Sequence, residues 1–440
     1  MAREQPINAG VPGAQPQGSP APKPSPRPRP EPSSKRRRRP IPVALKAIAG
    51  LFALAIVFIV AAILGGGGDS ERTDGPTPVG EAPSTPADAP PTQTPEDLGY
   101  PAFATANTTR VGGADAAANA AGVALAVYPS VTAAQQPDAV TVVDADEWRT
   151  AIAAAVLMAP PVGAPLLISE TDEMPDVSVE ALEALAPAGG PDTGGAQVFA
   201  IGAADAPADL RTNRVRPGGS AGAAAIAALR ERLAGSPPRH IVVAPSAEPA
   251  VAMPAAAWAA RSGDPVLFTA ADKLDEPTAK ALEANPKAPV YVLGPSTAIS
   301  SNVVREIGQA GGRVRRVSGE DPVANAIAFA RYADGSFGWD VNDPGHGFVV
   351  ANSEEPLDAA AAAPLSAAGT WGPLLLADSA DTLPAALRGY LLDVKPGYTT
   401  DPTRAFYNHI WVIGDEESIG VNEQAEMNQL AALTKIGGEE

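Results

Sequence analysis

RVSGEDPVANA, residues Arg316–Ala326, is the stretch whose reading decides the fold. It has a close counterpart in Arg110–Ala120 (RVGGADAAANA) and a looser one in Arg216–Ile226 (RPGGSAGAAAI). Each copy gives an arginine, a glycine turn and the start of an alanine-rich helix. Asp115 and Asp321 stand where an N-cap oxygen accepts a free backbone N–H. Pro322 suits the first helical position, where its missing N–H costs nothing. A threefold recurrence at a spacing of about 100 residues marks an internal repeat, which outranks any local motif in fixing the architecture.

The rest of each copy follows in the same order. A first apolar run is Val140–Asp144 (VTVVD), Ile241–Pro245 (IVVAP) and Phe348–Asn352 (FVVAN). An alanine-rich helical stretch comes next: Trp148–Met158, Ala250–Ala260 and Leu357–Ala368. A second run is Ala164–Ser169 (APLLIS), Asp264–Thr269 (DPVLFT) and Gly372–Ala377 (GPLLLA). A third ends in glycine: Gln197–Gly202 (QVFAIG), Val290–Gly294 (VYVLG) and Ile410–Gly414 (IWVIG). The runs are continuously apolar rather than alternating, which is the pattern of strands covered on both faces. Strand and helix in alternation predict βαβ units with a parallel sheet.

Composition sets limits on function. The 440 residues contain no cysteine, which excludes disulfides, thiolate catalysis and Cys-ligated zinc. Aromatics are only 5%, so the core must be built from small aliphatic side chains. Residues 1–46 carry ten Lys/Arg and two acids, a charge of +8; the other 22 bases and 48 acids give −26. That acidic body excludes nucleic acid as a partner, because phosphate contacts need a basic face.

Residues 1–40 read as a disordered, basic, Pro-rich cytoplasmic tail, with Pro20–Pro32 inclined to polyproline II. Ala47–Leu64 is an uncharged apolar run of 18 residues, and residues 41–64 read as one transmembrane helix. Lys35–Arg39 (KRRRR) lies just upstream. By the positive-inside rule the N-terminus is expected in the cytoplasm and the long C-terminal part outside. A cleaved signal peptide is the alternative, against which stand the long charged stretch and long apolar run. Residues 65–104 read as a disordered Gly/Pro linker. Repeats are expected over 105–210, 211–312 and 313–440.

Arg316–Ala326, Gly372–Ala377 and Val290–Gly294 resemble the cell wall-binding repeat 2 family of Gram-positive surface proteins. The resemblance covers about residues 105–435. It implies three tandem copies packed around a pseudo-threefold axis, and non-covalent attachment to the wall through anionic secondary polymers. The expected fold is therefore α/β: three tandem βαβ-type repeats with parallel sheets around that axis, preceded by one transmembrane helix. The chain departs from the family at its second arginine, replaced by Ala116, Gly222 and Pro322. The following tyrosine is replaced by Ala117, Ala223 and Val323.

Arginines gather at the repeat junctions. Arg110, Arg214, Arg216, Arg313 and Arg316, with Asp115 and Asp321, are the candidate polymer-binding residues. Arginine meets phosphate or carboxylate in two-pronged geometry; the structural alternative is ion pairing between copies. Gly218–Gly222 matches the G-x-S-x-G nucleophile elbow at Ser220. The same loop reads Gly112–Asp115 and Ser318–Asp321 in the other copies, so a repeat-wide turn explains it better. His240, His346 and His409 lack metal-ligand spacing. Glu170–Asp176 is acidic but lacks the EF-hand pattern. No nucleotide-binding glycine motif occurs, and no cofactor or metal is expected.

The function expected from these residues is that of a non-catalytic protein of the cytoplasmic membrane that docks onto wall polymer or peptidoglycan. The alternatives are an envelope scaffold that binds another protein and has lost polymer affinity, and a hydrolase using Ser220.

Overall fold

In the computed structural model the described residues are 103–171 and 173–437. The expected tail and anchor, residues 1–40 and 41–64, and the linker up to residue 102 lie outside them. The described part opens with the hairpin β1 (Phe103–Ala104) and β2 (Thr108–Val111). Then follow α1 (Ala116–Val127), β3 (Val140–Asp144), α2 (Trp148–Ala154), β4 (Leu166–Ser169), α3 (Asp176–Leu185), β5 (Val198–Ile201) and β6 (Thr212–Val215). The second set is α4 (Gly219–Ala234), β7 (Ile241–Pro245), α5 (Pro249–Ala252), α6 (Pro254–Ser262), β8 (Val266–Thr269), α7 (Glu276–Ala284), β9 (Val290–Leu293), α8 (Ser301–Ala310) and β10 (Val314–Val317). The third is α9 (Pro322–Arg331), β11 (Gly347–Asn352), α10 (Pro356–Pro364), β12 (Leu374–Ala377), α11 (Ala385–Asp393), β13 (Gly397–Tyr398), β14 (His409–Ile413), α12 (Val421–Ala431) and β15 (Thr434–Lys435).

Three sheets share one strand order: β4-β3-β5-β6, β8-β7-β9-β10 and β12-β11-β14-β2. All pairings in these orders are parallel; only β1, at the edge of the third sheet, runs antiparallel to its neighbour β2. The apolar runs are continuous because each sheet buries both faces. In the first sheet Val143, Ile168, Phe199 and Ile201 face the central core. Their neighbours Val142, Leu167, Val198 and Ala200 face a separate outer cluster with α3. The second sheet repeats the division, with Val242 and Phe268 turned inward and Val243 and Leu267 outward.

Helices α2, α6 and α10 meet one another at the centre. Their contact faces are alanine, including Ala151, Ala153, Ala255, Ala256, Ala259 and Ala360–Ala363, all essentially inaccessible. Side chains this small let helix axes come close, at the short end of the roughly 8–10 Å range. The low aromatic content is thus matched to three helices crowding one axis.

The strand that opens each copy is a finding the apolar runs conceal. Strands β2, β6 and β10 carry TTRV, TNRV and VRRV. Each pairs with the sheet of the copy before it in the cycle: β6 with β5, β10 with β9, and β2 with β14 of the last copy. The sheets therefore run across the expected junctions at 211 and 313, and the chain's first described strands complete its last sheet.

Two expectations are corrected. Register makes Arg214, not Arg216, the counterpart of Arg110 and Arg316, because Arg110 pairs with Val412, Arg214 with Ala200 and Arg316 with Val292. The second copy was displaced because its loop from arginine to helix cap is one residue shorter. The expected placement as a single-pass protein of the cytoplasmic membrane is also overturned: among the described residues no helix is long and apolar enough to cross a membrane.

Candidate functional site

The third strand of each sheet ends in a glycine at positive φ: Gly202 at +74°, Gly294 at +98° and Gly414 at +104°. Their N–H groups donate to the carbonyls of Val215, Val317 and Val111, which close the arginine strands. A side chain at Gly294 would come within 2.7 Å of Val251. These turns place the loops at the carboxyl ends of the strands, the usual location of ligand sites in α/β sheets.

Two candidate arginines are consumed there. Arg110 is 3% exposed. Its Nη1 donates to the carbonyls of Gly414 at 2.7 Å and Asp415 at 2.6 Å, its Nη2 to Ile419 at 2.6 Å, and its Nε to Gln424 Oε1 at 2.9 Å. Arg316 does the same in the second sheet, with Gly294, Pro295 and Ile299 as acceptors. Burial lowers both guanidinium pKa values, Arg110 against the opposing pull of Glu416 and Asp415. Asp115 and Asp321 cap α1 and α9 by accepting from Ala118 N at 2.9 Å and Ala324 N at 2.7 Å.

The other three candidates lie outside. Arg214 and Arg216 are exposed, and only Arg214 makes a hydrogen bond, to the Ala204 carbonyl at 3.1 Å. Arg313 is exposed and pairs with Asp334 at 3.0 Å, a carboxylate it shares with Arg315 at 2.9 Å.

The helix contacts between copies also hold buried polar residues that were not singled out in the sequence. Asn119, four residues past the α1 cap, donates from Nδ2 to Asp358 Oδ1 at 3.0 Å across the closing junction. Asn325, at the same place in α9, donates to the Val251 carbonyl at 3.2 Å. Gly222 occupies this place in α4 and lies against Thr150. Burial pushes the Asp358 carboxyl up to about 7, opposed by the Asn119 hydrogen bond and aided by Glu355, Asp415 and Asp115. Glu423 on α12 is also buried and also raised to about 7, chiefly by desolvation. The recurrence of Asn at one helical position in two copies was the available signal for this interface.

Ser220 Oγ donates to Asp275 Oδ2 at 2.5 Å, and no histidine contacts it. His346 pairs with Asp343 and His409 with Thr109. Burial lowers the His409 pKa. Among the described residues no three His, Asp or Glu side chains converge as metal ligands.

Known proteins can be compared with this geometry. Residues 221–304 match Cell wall binding domain 2 (CWB2). The CWB2 match starts in α4 and ends in α8, so it spans β7, β8 and β9 of the middle sheet and stops short of β10. Two solved structures share the fold. Cwp6 from Clostridium difficile aligns with a TM-score of 0.58 at 18% identity, over 74% of this chain and 47% of its own. Cwp8 from Clostridium difficile aligns with a TM-score of 0.52 at 15% identity, over 74% and 52%. The chain thus spans about half the length of these structures. No curated protein matches the sequence. The CWB2 match supports a cell wall-binding role, and the two solved structures show a shared fold.

Proposed function

We propose that this protein attaches to the cell wall by binding an anionic wall polymer with the exposed arginines at the junctions between its sheets. The observation that carries the reading is the CWB2 match over the middle sheet, together with two further sheets of the same strand order. Exposed arginines at two of the junctions offer several weak contacts to a repetitive polymer, and linked contacts raise avidity without requiring one deep pocket.

Arg214, Arg216 and Arg313 keep their guanidinium groups at the surface. Arg110, Arg316, Asp115 and Asp321 serve the fold beneath them, holding the loops and helix starts in place. Binding should therefore depend on charge and weaken as salt screens it.

The test uses the full chain with purified walls, before and after removal of the anionic polymers. Co-sedimentation with untreated walls only, reduced in Arg214→Ala/Arg216→Ala, is the expected result. Equal sedimentation with stripped walls, or none with either, would overturn the reading.

A further inference from the structure

We propose that the middle sheet also carries an esterase site, Ser336–His240–Asp264, which removes acyl groups from hydroxyls. This goes beyond wall binding and departs from the non-catalytic expectation. The three side chains form a continuous relay. Asp264 Oδ2 lies 3.0 Å from His240 Nδ1, and Ser336 Oγ lies 3.2 Å from His240 Nε2. Each nitrogen thus faces the partner that base catalysis requires. A proton on Nδ1, bound to the aspartate, leaves Nε2 free to accept from the serine. Such constellations are recognised by geometry and roles rather than by chain order.

The surroundings fit those roles. Asp264 is 2% exposed, and its Oδ2 also accepts from Trp258 Nε1 at 2.9 Å, while its Oδ1 accepts from the His240 backbone N at 3.1 Å. The carboxylate is therefore fixed. The imidazole is held edge-on by Tyr291 and Phe337, at 5.8 Å and 5.5 Å between ring centres. Ser336 is exposed, on a turn flanked by Gly335 at φ +69° and Gly338 at φ +100°. A serine on a sharp glycine turn, backed by a buried His–Asp pair, is open to substrate on its outer side. Among the described residues the Gly335 and Ser336 N–H groups take no protein partner, and the oxyanion is assigned to them.

The fold itself does not need this relay. In register, His240 corresponds to Ala139 and Gly347 in the other sheets, and Asp264 to Ala164 and Gly372. Those sheets form without either side chain. Beside the serine, Arg313 and Arg315 share the carboxylate of Asp334, two residues away, leaving one net positive charge. The substrate class that suits this edge is a small acyl ester on an anionic chain.

The reaction balances without a cofactor. Ser336 Oγ bonds to the ester carbonyl carbon as its proton passes to His240 Nε2. The alkoxide leaves with that proton. Water, deprotonated by the same nitrogen, then cleaves the acyl-serine to give a carboxylic acid and free Ser336. Ser336 and His240 are the catalytic residues, and Asp264 is a positioning residue.

The full chain would be assayed with p-nitrophenyl acetate and labelled with a fluorophosphonate, followed by peptide mass spectrometry. The label is expected on Ser336. Hydrolysis should fall at least about 100-fold in Ser336→Ala and stay unchanged in Ser220→Ala. Asp264→Asn should lower kcat with little change in KM while the chain stays folded by circular dichroism. No hydrolysis above buffer, a label elsewhere, or full activity in Ser336→Ala would overturn the proposal. Wall sedimentation of Ser336→Ala stays as in the parent chain, so this test and that of wall binding fail independently.

Discussion

A single arginine shows how position decides what a charge does. Arg110 and Arg214 occupy the same register, yet one is buried among three carbonyls and the other is exposed. Arg110→Ala strands those carbonyls and Gln424, and the loss of several charge-assisted hydrogen bonds costs about 3 kcal/mol or more. Arg214→Ala should cost less than about 1 kcal/mol. Urea unfolding of the two variants checks the contrast; equal losses would contradict the arginine assignment. Asp358 makes a second residue-scale prediction. Its carboxyl is raised from 3.8 to about 7 in the folded chain, so the native state keeps a proton that the unfolded state has lost. Stability therefore falls as pH rises from about 3.8 to about 7 and then levels off. Glu423 adds to the same trend between 4.5 and about 7. Asp358→Asn removes the penalty and still accepts from Asn119, so it should gain on the order of 1–3 kcal/mol over the parent at about pH 8 and little at about pH 4. Denaturation midpoints across that range measure the effect.

Helix starts carry the next level of specification. Helices α1 and α9 have their own aspartate caps, but α4 begins at Gly218, which has no side chain to offer. Its first turn is capped from the neighbouring copy, where Glu147 accepts from Gly219 N. Glu147→Ala should thus cost about as much as Asp321→Ala, roughly 1 kcal/mol, although Glu147 lies outside the helix it caps. Gly222 poses an opposite case. Alanine is worth about 1 kcal/mol more than glycine inside a helix. A Cβ there would meet the Pro217 carbonyl oxygen at 2.3 Å and Thr150 at 2.5 Å. The backbone contact wins, and Gly222→Ala is expected to lower the thermal midpoint rather than raise it.

At the scale of the whole molecule the ring is closed by a strand remote in sequence. Strand β2 completes the third sheet beside β14, and Asn107 donates to Asn428 through both its backbone N and its Nδ2. A chain begun at residue 112 would lose Arg110 and leave the β14 edge unpaired. Exposed parallel edges invite association with other chains. Such a truncation should abolish the single cooperative unfolding transition and promote aggregation. A truncated monomer with the parent's melting curve would show that closure is dispensable.

The nine apolar runs were legible because burial on both faces leaves an unbroken signature, and the observed strands fall within about a residue or two of them. The arginine strands were not: TTRV, TNRV and VRRV are short and polar, and only pairing with a neighbouring copy makes them strands. Nor could spacing separate Arg214 from Arg216, since a one-residue change in loop length moves an arginine between structurally distinct places. The Ser336–His240–Asp264 relay joins a loop to the starts of two strands, so no local motif announces it. Sequence alone determined that three α/β units with alanine-rich helices would form, because periodicity and side-chain size are local properties. Tertiary structure alone decided which strands share a sheet, which arginines reach solvent and which polar groups meet, because those depend on contacts between separate elements, from β5 with β6 (Val198 opposite Thr212) to β14 with β2 (Ile410 opposite Thr108), that no local window contains.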